Sequence, residues 1–384
     1  MRVLILLREF FSPSFPFGGA EHQALKLAKE LMKINVDARI VTGLWEWGQP
    51  RREVIQGVQV HRHFSAWGVF QIKGLRKFGY YAYLISLFWY LLWHRGEYQI
   101  IHCQSALVEA SVGVLAGHWL NKPTLIRPMA NGIFGDFNRL RYERRIWWQE
   151  RLARNLRRAD AVIALNPQIS AEMIALGLNA EKLISIPNGV DVEPGAVTRD
   201  YTLNTPMRIA FVGRLHPQKD AGTLLRSLGY LAKEAPGLSW RLSLAGTGPS
   251  EIELKSIADE IGIGQYVEFL GFIEHPHTLL MESDCFVLPS LSEGMSNALL
   301  EAMATGLPCI ASDIAGNNNL IRDRHNGILV PPKDELALAK ALLELSQDEG
   351  LRQRLGQAAR RIVEEQYSLH SVAQRYAALY QSLL

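Results

Sequence analysis

The sequence predicts an α/β protein with two doubly wound domains, each built on a mainly parallel sheet covered by helices. Short apolar segments rich in Val, Ile, Leu and Phe alternate with helical stretches along the chain. Many of these segments are apolar on both faces, which is typical of parallel strands buried between helices. The alternation stops once, between residues 188 and 206, and then restarts. With 384 residues, 48% of them hydrophobic, the chain can bury two cores.

The first half of the chain has the β and α order of the first domain. A helix is predicted from about Ala20 to Met32, directly after the first strand. Residues 1–190 are predicted as this domain, and residues 191–206, rich in Pro, Gly, Asn and Asp, as a linker. The predicted strands are, in order, RVLILLRE, ARIVTG, VQVHRHF, QIIHCQS, TLIRPM, AVIALN and LISIPN.

The second half repeats the pattern and predicts a second domain over residues 207–366. Helices are expected from about Asp220, from about Ser250 and near Ser296. After Pro332 only helical stretches follow, and the last, over residues 367–384, is predicted to cross back to the first domain. The predicted strands are RIAFVG, WRLSLAG, YVEFLGF, CFVLPS, PCIASDI and ILV.

Cysteine usage and the N-terminus indicate a reducing, cytoplasmic location. Cys103, Cys285 and Cys309 are scattered in apolar runs without a C-x-x-C pair, so buried reduced thiols are expected. The apolar run at the N-terminus is broken by Arg8 and Glu9, and is too short for a signal-peptide core. It is interpreted as the first strand.

Two glutamates stand eight positions apart in SEGMSNALLEAMATGLP, residues 292–308. In one continuous helix, Glu293 and Glu301 would differ by about 80° in direction and about 12 Å along the axis, so they would not converge. If the helix begins near Ser296 or Asn297, they bracket its N-terminus, which attracts anions. Residues of this predicted anion site are Gly294, Met295, Ser296 and Asn297. The alternative is an amphipathic helix with a solvated Glu301.

Basic residues follow the first strand of the second half in GRLHPQKD, residues 213–220. Gly213 ends the strand, Arg214 comes next, and Lys219 lies near the start of the following helix. One planar guanidinium and one compact ammonium suit a diphosphate, although both residues could simply be solvated on a loop. Gly18 and Gly19 occupy the corresponding place after the first strand of the chain. Ligands of such sheets bind beyond the carboxyl ends of the strands, so the cleft between the domains is the expected site.

Several other chemistries have no motif in this chain. There is no H-E-x-x-H, paired C-x-x-C or D-x-D, so no metal site is predicted. The absence of G-x-x-x-x-G-K-[ST] argues against a nucleotide triphosphatase, and no G-x-S-x-G nucleophile turn is present.

These segments together resemble the retaining glycosyltransferases of family 4, which have the GT-B fold of two Rossmann-like domains facing across a cleft. The resemblance implies a nucleotide diphosphate sugar as donor, most simply a UDP-sugar, and no other cofactor. It implies that Arg214 and Lys219 hold the diphosphate, Glu293 contacts the donor sugar and Glu301 the ribose. The matching segments are GGAE (18–21), IPNGVD (186–191), FVGRLHPQKD (211–220), LAGTGP (244–249), FLGF (269–272) and SEGMSNALLEAMATGLPCIASD (292–313).

One position departs from the family pattern. Members often have V-H-x-H after the fourth strand of the first domain, whereas IHCQS here gives His102 and then Gln104. A Gln cannot titrate near neutrality but can donate a hydrogen bond to a sugar, the role expected of Gln104. The proposed family mechanism needs no enzymic base, because the leaving phosphate takes the acceptor's proton. Two alternatives remain: another GT-B activity such as an epimerase, and a catalytically silent scaffold that binds nucleotide sugars.

The first half carries the features of an acceptor side. Residues 1–188 hold 24 Lys and Arg against 14 Asp and Glu, a net charge of +10, which indicates an anionic partner. Residues 78–93 are uncharged and rich in Tyr and Trp, so they form either a core helix or a membrane-surface helix. Residues 139–158 carry eight Arg around two Trp and suit anionic lipid or a solvated face. A glycan or lipid-linked acceptor at the inner face of a membrane is expected, and no nucleic acid.

Overall fold

The protein, in a computed structural model, forms two compact units. The first consists of Met1–Gly189 with Leu369–Leu384, and the second of Val190–Ser368. The structure describes residues 1–10, 19–46, 48–65, 76–129, 135–136, 154–192 and 199–384.

The first unit contains an eight-stranded sheet in the order β3-β4-β2-β1-β5-β6-β7-β8. The pairings are parallel except that between β3 and β4. Its strands are β1 (Arg2–Leu6), β2 (Asp37–Gly43), β3 (Arg52–Ile55), β4 (Val58–His63), β5 (Ile100–Cys103), β6 (Thr124–Ile126), β7 (Ala161–Ile163) and β8 (Leu183–Ile184). Its first four described helices are α1 (Gly19–Lys33), α2 (Arg76–Trp93), α3 (Val108–Leu120) and α4 (Pro167–Ala175).

Strand β3 was not predicted from the sequence. Its side chains alternate between exposed and half-buried because it forms the edge of the sheet, so it lacks the apolar run of the other strands. A two-residue turn at Gln56 and Gly57, both with positive φ (48° and 89°), joins it to β4. Such a turn matches the twist of an antiparallel hairpin.

The second unit contains a six-stranded sheet in the order β11-β10-β9-β12-β13-β14, with all its pairings parallel. All six predicted strands of this half are confirmed. They are β9 (Met207–Val212), β10 (Trp240–Ala245), β11 (Val267–Gly271), β12 (Cys285–Leu288), β13 (Cys309–Ser312) and β14 (Ile328–Val330). The helices are α5 (Ala221–Glu234), α6 (Glu251–Glu260), α7 (His277–Glu282), α8 (Asn297–Ala304), α9 (Ala315–Asn318), α10 (Glu335–Gln347) and α11 (Glu349–Ile362).

Helix α5 shows how the sequence pattern builds this core. Leu224, Leu228 and Leu231 recur at helical spacing, and each is at most 1% exposed. They join Phe211 of β9 and Leu242 of β10 in one buried cluster. Burying a side chain of this size stabilises the fold by about 1.5 to 3 kcal/mol.

The strand order places a switch point beside the central strand of each sheet. In the second unit, β9 lies between β10 and β12, so the connections after β9 and β12 leave in opposite directions. Ligands of open parallel sheets bind beyond the carboxyl ends of strands at such a point. Arg214 and Glu293 follow these two strands.

The three cysteines are free and buried, as predicted. Burial raises the pKa of the thiols of Cys103, Cys285 and Cys309. They therefore stay protonated and unreactive near neutral pH.

The last helix, α12 (Leu369–Leu383), belongs to the first unit, as the predicted return of the chain requires. Nδ1 of His102 on β5 lies 2.7 Å from the hydroxyl oxygen of Tyr380 on α12. The ring of Tyr376 stacks on the same imidazole at a centroid distance of 5.4 Å. Burial, and secondly the charge of Arg127, lowers the pKa of His102 to about 3.

Acid should destabilise the first unit through His102. Its folded pKa lies below the ordinary value of 6.5, so the unfolded chain binds more protons and stability falls as pH drops from about 6.5 towards 3. The slope contributed by one histidine is at most about 1.4 kcal/mol per pH unit. We expect His102→Gln to have a lower melting temperature than the unchanged protein at pH 7. The difference between the two melting temperatures should become steadily smaller as the pH is lowered to 5. Replacing the exposed His277 is the control. If the melting-temperature difference between His102→Gln and the unchanged protein stayed constant from pH 7 to pH 5, His102 would not be the source of the acid sensitivity.

Candidate functional site

The loop after β9 is held in place by the loop after β10. The amide of Gly213 donates to the carbonyl of Ala245 at 2.9 Å, and that of Leu215 to Thr247 at 2.9 Å. A β-carbon added to Gly246 would lie 1.9 Å from the carbonyl oxygen of Gly213. The G-x-G of residues 246–248 therefore permits close packing of the two loops behind the site, a role that this short motif alone did not indicate.

Lys219 ends a short 3-10 turn, Pro217–Lys219. The His216 side chain accepts from the amide of Gln218 at 3.2 Å and begins the turn. Burial, and secondly the charge of Arg214, lowers the pKa of His216, so the ring is neutral at pH 7 and can accept at Nδ1.

Lys219 and Glu293 form an ion pair at the switch point of the second unit. Nζ of Lys219 lies 2.5 Å from Oε1 of Glu293, and the side chains are only 16% and 8% exposed. The hydroxyl of Ser290 donates to the same carboxylate oxygen at 2.7 Å. The structure thus brings together two of the predicted site residues from loops that are far apart in sequence.

Gln218 ties these two loops together. Its side-chain Nε2 donates to the backbone carbonyl of Ser292 at 2.7 Å, and its backbone carbonyl accepts from the backbone N–H of Leu291 at 2.8 Å. Neither Gln218 nor Ser290 was predicted from the sequence. Ser290 stands three positions before Glu293, but no periodic pattern marks either residue.

Helix α8 begins at Asn297, as predicted. The Ser296 side chain caps it by accepting from the amide of Leu299 at 3.3 Å. Glu293 lies in the entry loop and the half-buried Glu301 in the second turn, so the glutamates bracket the helix start. Gly294 and Met295 are buried directly before the cap. The inward face predicted by the alternative interpretation also exists, since Leu299, Ala302 and Met303 are buried.

Gly316 supports the backbone of Glu293 from the neighbouring helix α9. A β-carbon at this position would lie 2.3 Å from the carbonyl oxygen of Glu293 and 2.7 Å from its Cβ. Real β-carbons do not approach other atoms so closely, so only glycine fits without movement of the Glu293 loop. Gly316 was not predicted as a site residue from the sequence.

Arg214 is exposed directly after Gly213. Among the residues that the structure describes, its side chain takes part in no ion pair. It belongs to the same loop after β9 as Lys219.

The remaining predicted site residues lie in the first unit. Gly18 is outside the described residues, and Gly19 begins α1. Gln104 is 1% exposed, and its backbone N–H donates to the backbone carbonyl of Leu6 at 2.9 Å. Within the described part of the chain, its side-chain Oε1 and Oε2 of the nearby Glu109 are buried without a hydrogen-bond partner. The hydroxyl of Ser105 donates to the other oxygen of Glu109 at 3.2 Å.

No group of three His, Cys, Asp or Glu side chains that could hold a metal ion occurs in the described ranges. The site chemistry present at the second unit's switch point consists of two cations, two carboxylates, a hydroxyl and a helix N-terminus. Such a set can bind a phosphorylated, polyhydroxylated ligand.

Two sequence models of known protein families together match most of the chain. Residues 17–194 match the sequence model described as Glycosyltransferase Family 4, and residues 206–348 match that described as Glycosyl transferases group 1. This chain belongs to the family 4 glycosyltransferases. The resemblance inferred from its motifs is thereby confirmed.

Individual relatives of this family 4 chain share about a third of its residues or fewer over the matched regions. It is 33% identical over 220 residues to the amylovoran biosynthesis glycosyltransferase AmsK of Erwinia amylovora, covering 55% of this chain and 54% of that protein. The match thus spans about half the length of that relative. Identity to the UDP-Gal:alpha-D-GlcNAc-diphosphoundecaprenol alpha-1,3-galactosyltransferase of Escherichia coli is 29% over 279 residues, covering 70% of this chain and 71% of that enzyme.

A solved structure with a similar fold is Anabaena Alr3699/HepE in complex with UDP and glucose. The TM-score is 0.74 at 20% identity, over 99% of both chains. This similarity concerns the fold, and it confirms the predicted GT-B class with two Rossmann-like units.

Proposed function

We propose that this family 4 protein is a retaining hexosyltransferase. It moves a hexose or N-acetylhexosamine from a nucleotide diphosphate sugar, a UDP-sugar first of all, to a glycan or lipid-linked acceptor. The observation that carries the proposal is the ion pair of the half-buried Lys219 and the buried Glu293, 2.5 Å apart beside the capped start of α8.

The donor fits the charges of this site group by group. Lys219 and Arg214 supply the positive charge for a diphosphate, and the N-terminus of α8 adds roughly half a positive charge. Glu293 accepts hydrogen bonds from hydroxyls of the donor sugar, each contributing about 1.5 to 3 kcal/mol because the acceptor is charged. In this proposal Glu301, in the second turn of α8, accepts hydrogen bonds from the ribose.

The reaction follows a front-face course. The bond between the anomeric carbon and the diphosphate oxygen breaks, and an acceptor hydroxyl attacks the oxocarbenium-like centre from the face that the diphosphate leaves. The departing phosphate oxygen takes the acceptor's proton, so charge and atoms balance without an enzymic base. Preorganised cations stabilise the departing charge, which is usually the largest contribution to such a rate. In this proposal Arg214 and Lys219 do this without a metal ion.

Support for the acceptor comes from the first unit and from a relative. The partnerless buried oxygens of Gln104 and Glu109, beyond the carboxyl end of β5, suit the hydroxyl groups of a sugar. Gln104 would hold the acceptor or donor sugar by a hydrogen bond, without proton transfer. The E. coli relative is named for a lipid-linked diphosphate acceptor.

The decisive experiment offers the protein a panel of UDP-, GDP- and ADP-sugars, with and without a lipid-linked glycan extract. We expect acceptor-dependent release of UDP and an α-linked product from an α-linked donor. An epimerase would instead release free nucleotide and an epimerised sugar without acceptor. Tight donor binding with no product for every donor would favour the silent scaffold and contradict the proposal.

Ser290 is expected to act as a positioning residue for Glu293. Ser290→Ala removes the 2.7 Å hydrogen bond that orients the carboxylate, so kcat should fall about tenfold while KM for the donor changes little. Steady-state kinetics with Ser290→Thr, which keeps the hydroxyl, should recover most of the rate. Equal losses in both variants would mean that packing alone matters at this position.

A further inference from the structure

Helix α2 exposes a row of large apolar side chains on its outer face. Phe78 is 64% exposed, Ile85 60%, Trp89 48% and Trp93 77%. Trp119, at the end of the neighbouring helix α3, is 68% exposed. These five residues, called the aromatic ridge below, include all the tryptophans that are exposed in the described part of the chain.

Four of the ridge residues share one side of helix α2. Positions 78, 85, 89 and 93 fall within about 80° of one another around the helix and extend over about 22 Å along its axis. The rings of Trp89 and Trp93 lie 5.5 Å apart, and Phe88 contacts Trp119 edge-on at 5.7 Å. Exposed apolar side chains grouped on one stripe differ from the scattered single apolar residues of an ordinary surface.

The opposite face of α2 anchors the helix to the sheet. Tyr83, Leu87 and Leu91 are at most 1% exposed. The hydroxyl of Tyr90 lies 2.7 Å from Nδ1 of His61 on β4, and that of Tyr98 donates to the carbonyl of Leu91 at 2.7 Å. The ridge therefore cannot turn inward without breaking a buried polar and apolar face.

Basic residues stand at both ends of helix α2 in the sequence. Arg95 is exposed two residues beyond Trp93, and Arg76 and Lys77 begin the same helix. The half of the chain that carries the ridge has a net charge of +10 over residues 1–188. No helix among the described residues is long and apolar enough to cross a bilayer.

We propose that the aromatic ridge is a docking surface for an anionic phospholipid membrane. Helix α2 lies along the headgroup region, its tryptophans enter the boundary with the acyl chains, and the flanking cations meet lipid phosphates. Trp is preferred at this depth because its ring is apolar and its N–H is polar. An amphipathic helix with basic flanks binds there through buried apolar area and electrostatic attraction together. This inference does not depend on the transferase reaction.

Vesicle co-sedimentation tests the proposal. The full chain is mixed with vesicles of pure phosphatidylcholine and with vesicles containing phosphatidylglycerol. We expect binding to the anionic vesicles, a blue shift of Trp fluorescence, and weaker binding at high salt. The double variant Trp93→Ser/Trp119→Ser should bind at least about tenfold more weakly, because two aromatic side chains no longer leave water.

Two control variants show whether vesicle binding requires the ridge and its flanking charge. Ile252→Ser changes an 85% exposed apolar residue on α6 of the second unit and should bind as the unchanged protein does. Arg95→Gln should weaken binding only to anionic vesicles. Absence of vesicle binding, or full binding by the double tryptophan variant, would overturn the proposal. So would sedimentation showing that the ridge instead holds two copies of the chain together.

Discussion

Glu293→Gln is expected to lower kcat/KM for sugar transfer by about 10²-fold. Gln keeps the size of the side chain and can still accept from Ser290, 2.7 Å from the carboxylate in the structure. It loses the charge that strengthens hydrogen bonds to the donor sugar. Steady-state kinetics with a UDP-sugar series, with isothermal titration for donor binding, measures the effect. A loss under about threefold would remove Glu293 from the proposed donor site.

Lys219→Met should separate the catalytic and the structural roles of the ion pair. It removes the cation 2.5 Å from the Glu293 carboxylate, which is 8% exposed, so we expect a loss of about 3 kcal/mol in stability as well as activity. The double variant Lys219→Met/Glu293→Gln removes both charges of the pair, so stability should largely return while activity stays low.

The matched control is the ion pair of Lys255 and Glu251 on α6, 2.7 Å apart with side chains 51% and 31% exposed. Lys255→Met should change stability by at most about 0.5 kcal/mol, as exposed pairs do. Denaturant unfolding of the variants and the unchanged protein gives the comparison. If the double variant is no more stable than Lys219→Met, the buried charge of Glu293 is not the cause of the loss.

Gly316→Ala is expected to lower activity by about 10²-fold, nearly as much as the loss of Glu293 itself. The added methyl group would meet the Glu293 carbonyl oxygen at 2.3 Å, so the Glu293 loop or α9 must move. Displacing a catalytic group by about 1 Å is enough for such a loss, and overpacking of this kind also costs about 1 to 3 kcal/mol in stability.

Gly237→Ala provides the control for this change, because no atom lies within 4 Å of a β-carbon added there. It should keep full activity. Donor titration would show whether Gly316→Ala weakens ground-state binding or only the chemical step. Activity within about twofold of the unchanged protein would show that the loop tolerates the shift.

The strands and the start of α8 could be predicted because their signals are local. A Ser at the cap position before a helical apolar pattern sufficed for α8, and continuous apolar runs sufficed for β9 to β14. Strand β3 was not predicted because an edge strand has no continuous apolar run. The contact between Lys219 and Glu293, 74 residues apart, follows from β9 lying next to β12, and strand order leaves no trace in residue spacing.

Helix α2 shows a different limit of prediction from sequence. A segment that is apolar on all sides does not indicate which face of the helix is buried, so the sequence is consistent with both a core helix and a membrane-surface helix. The structure shows a buried face at Tyr83 and Leu87 and an exposed face at Trp89 and Trp93. The Arg-rich segment 139–158, the other predicted membrane contact, lies mostly outside the described residues and stays a prediction.

The return of α12 to the first unit has a consequence for the order in which the protein matures on the ribosome. The second unit, residues 190–368, is one unbroken stretch, whereas the first needs residues from both sides of that stretch. Until the C-terminal helix has been translated, the imidazole of His102 lacks its contact with Tyr380. The carboxylate of Glu30 likewise lacks its contact with His370, which lies 3.0 Å away in the folded protein. The half synthesised first is thus expected to be completed last, and a nascent chain arrested before residue 369 should offer proteases an open N-terminal half beside a finished second unit.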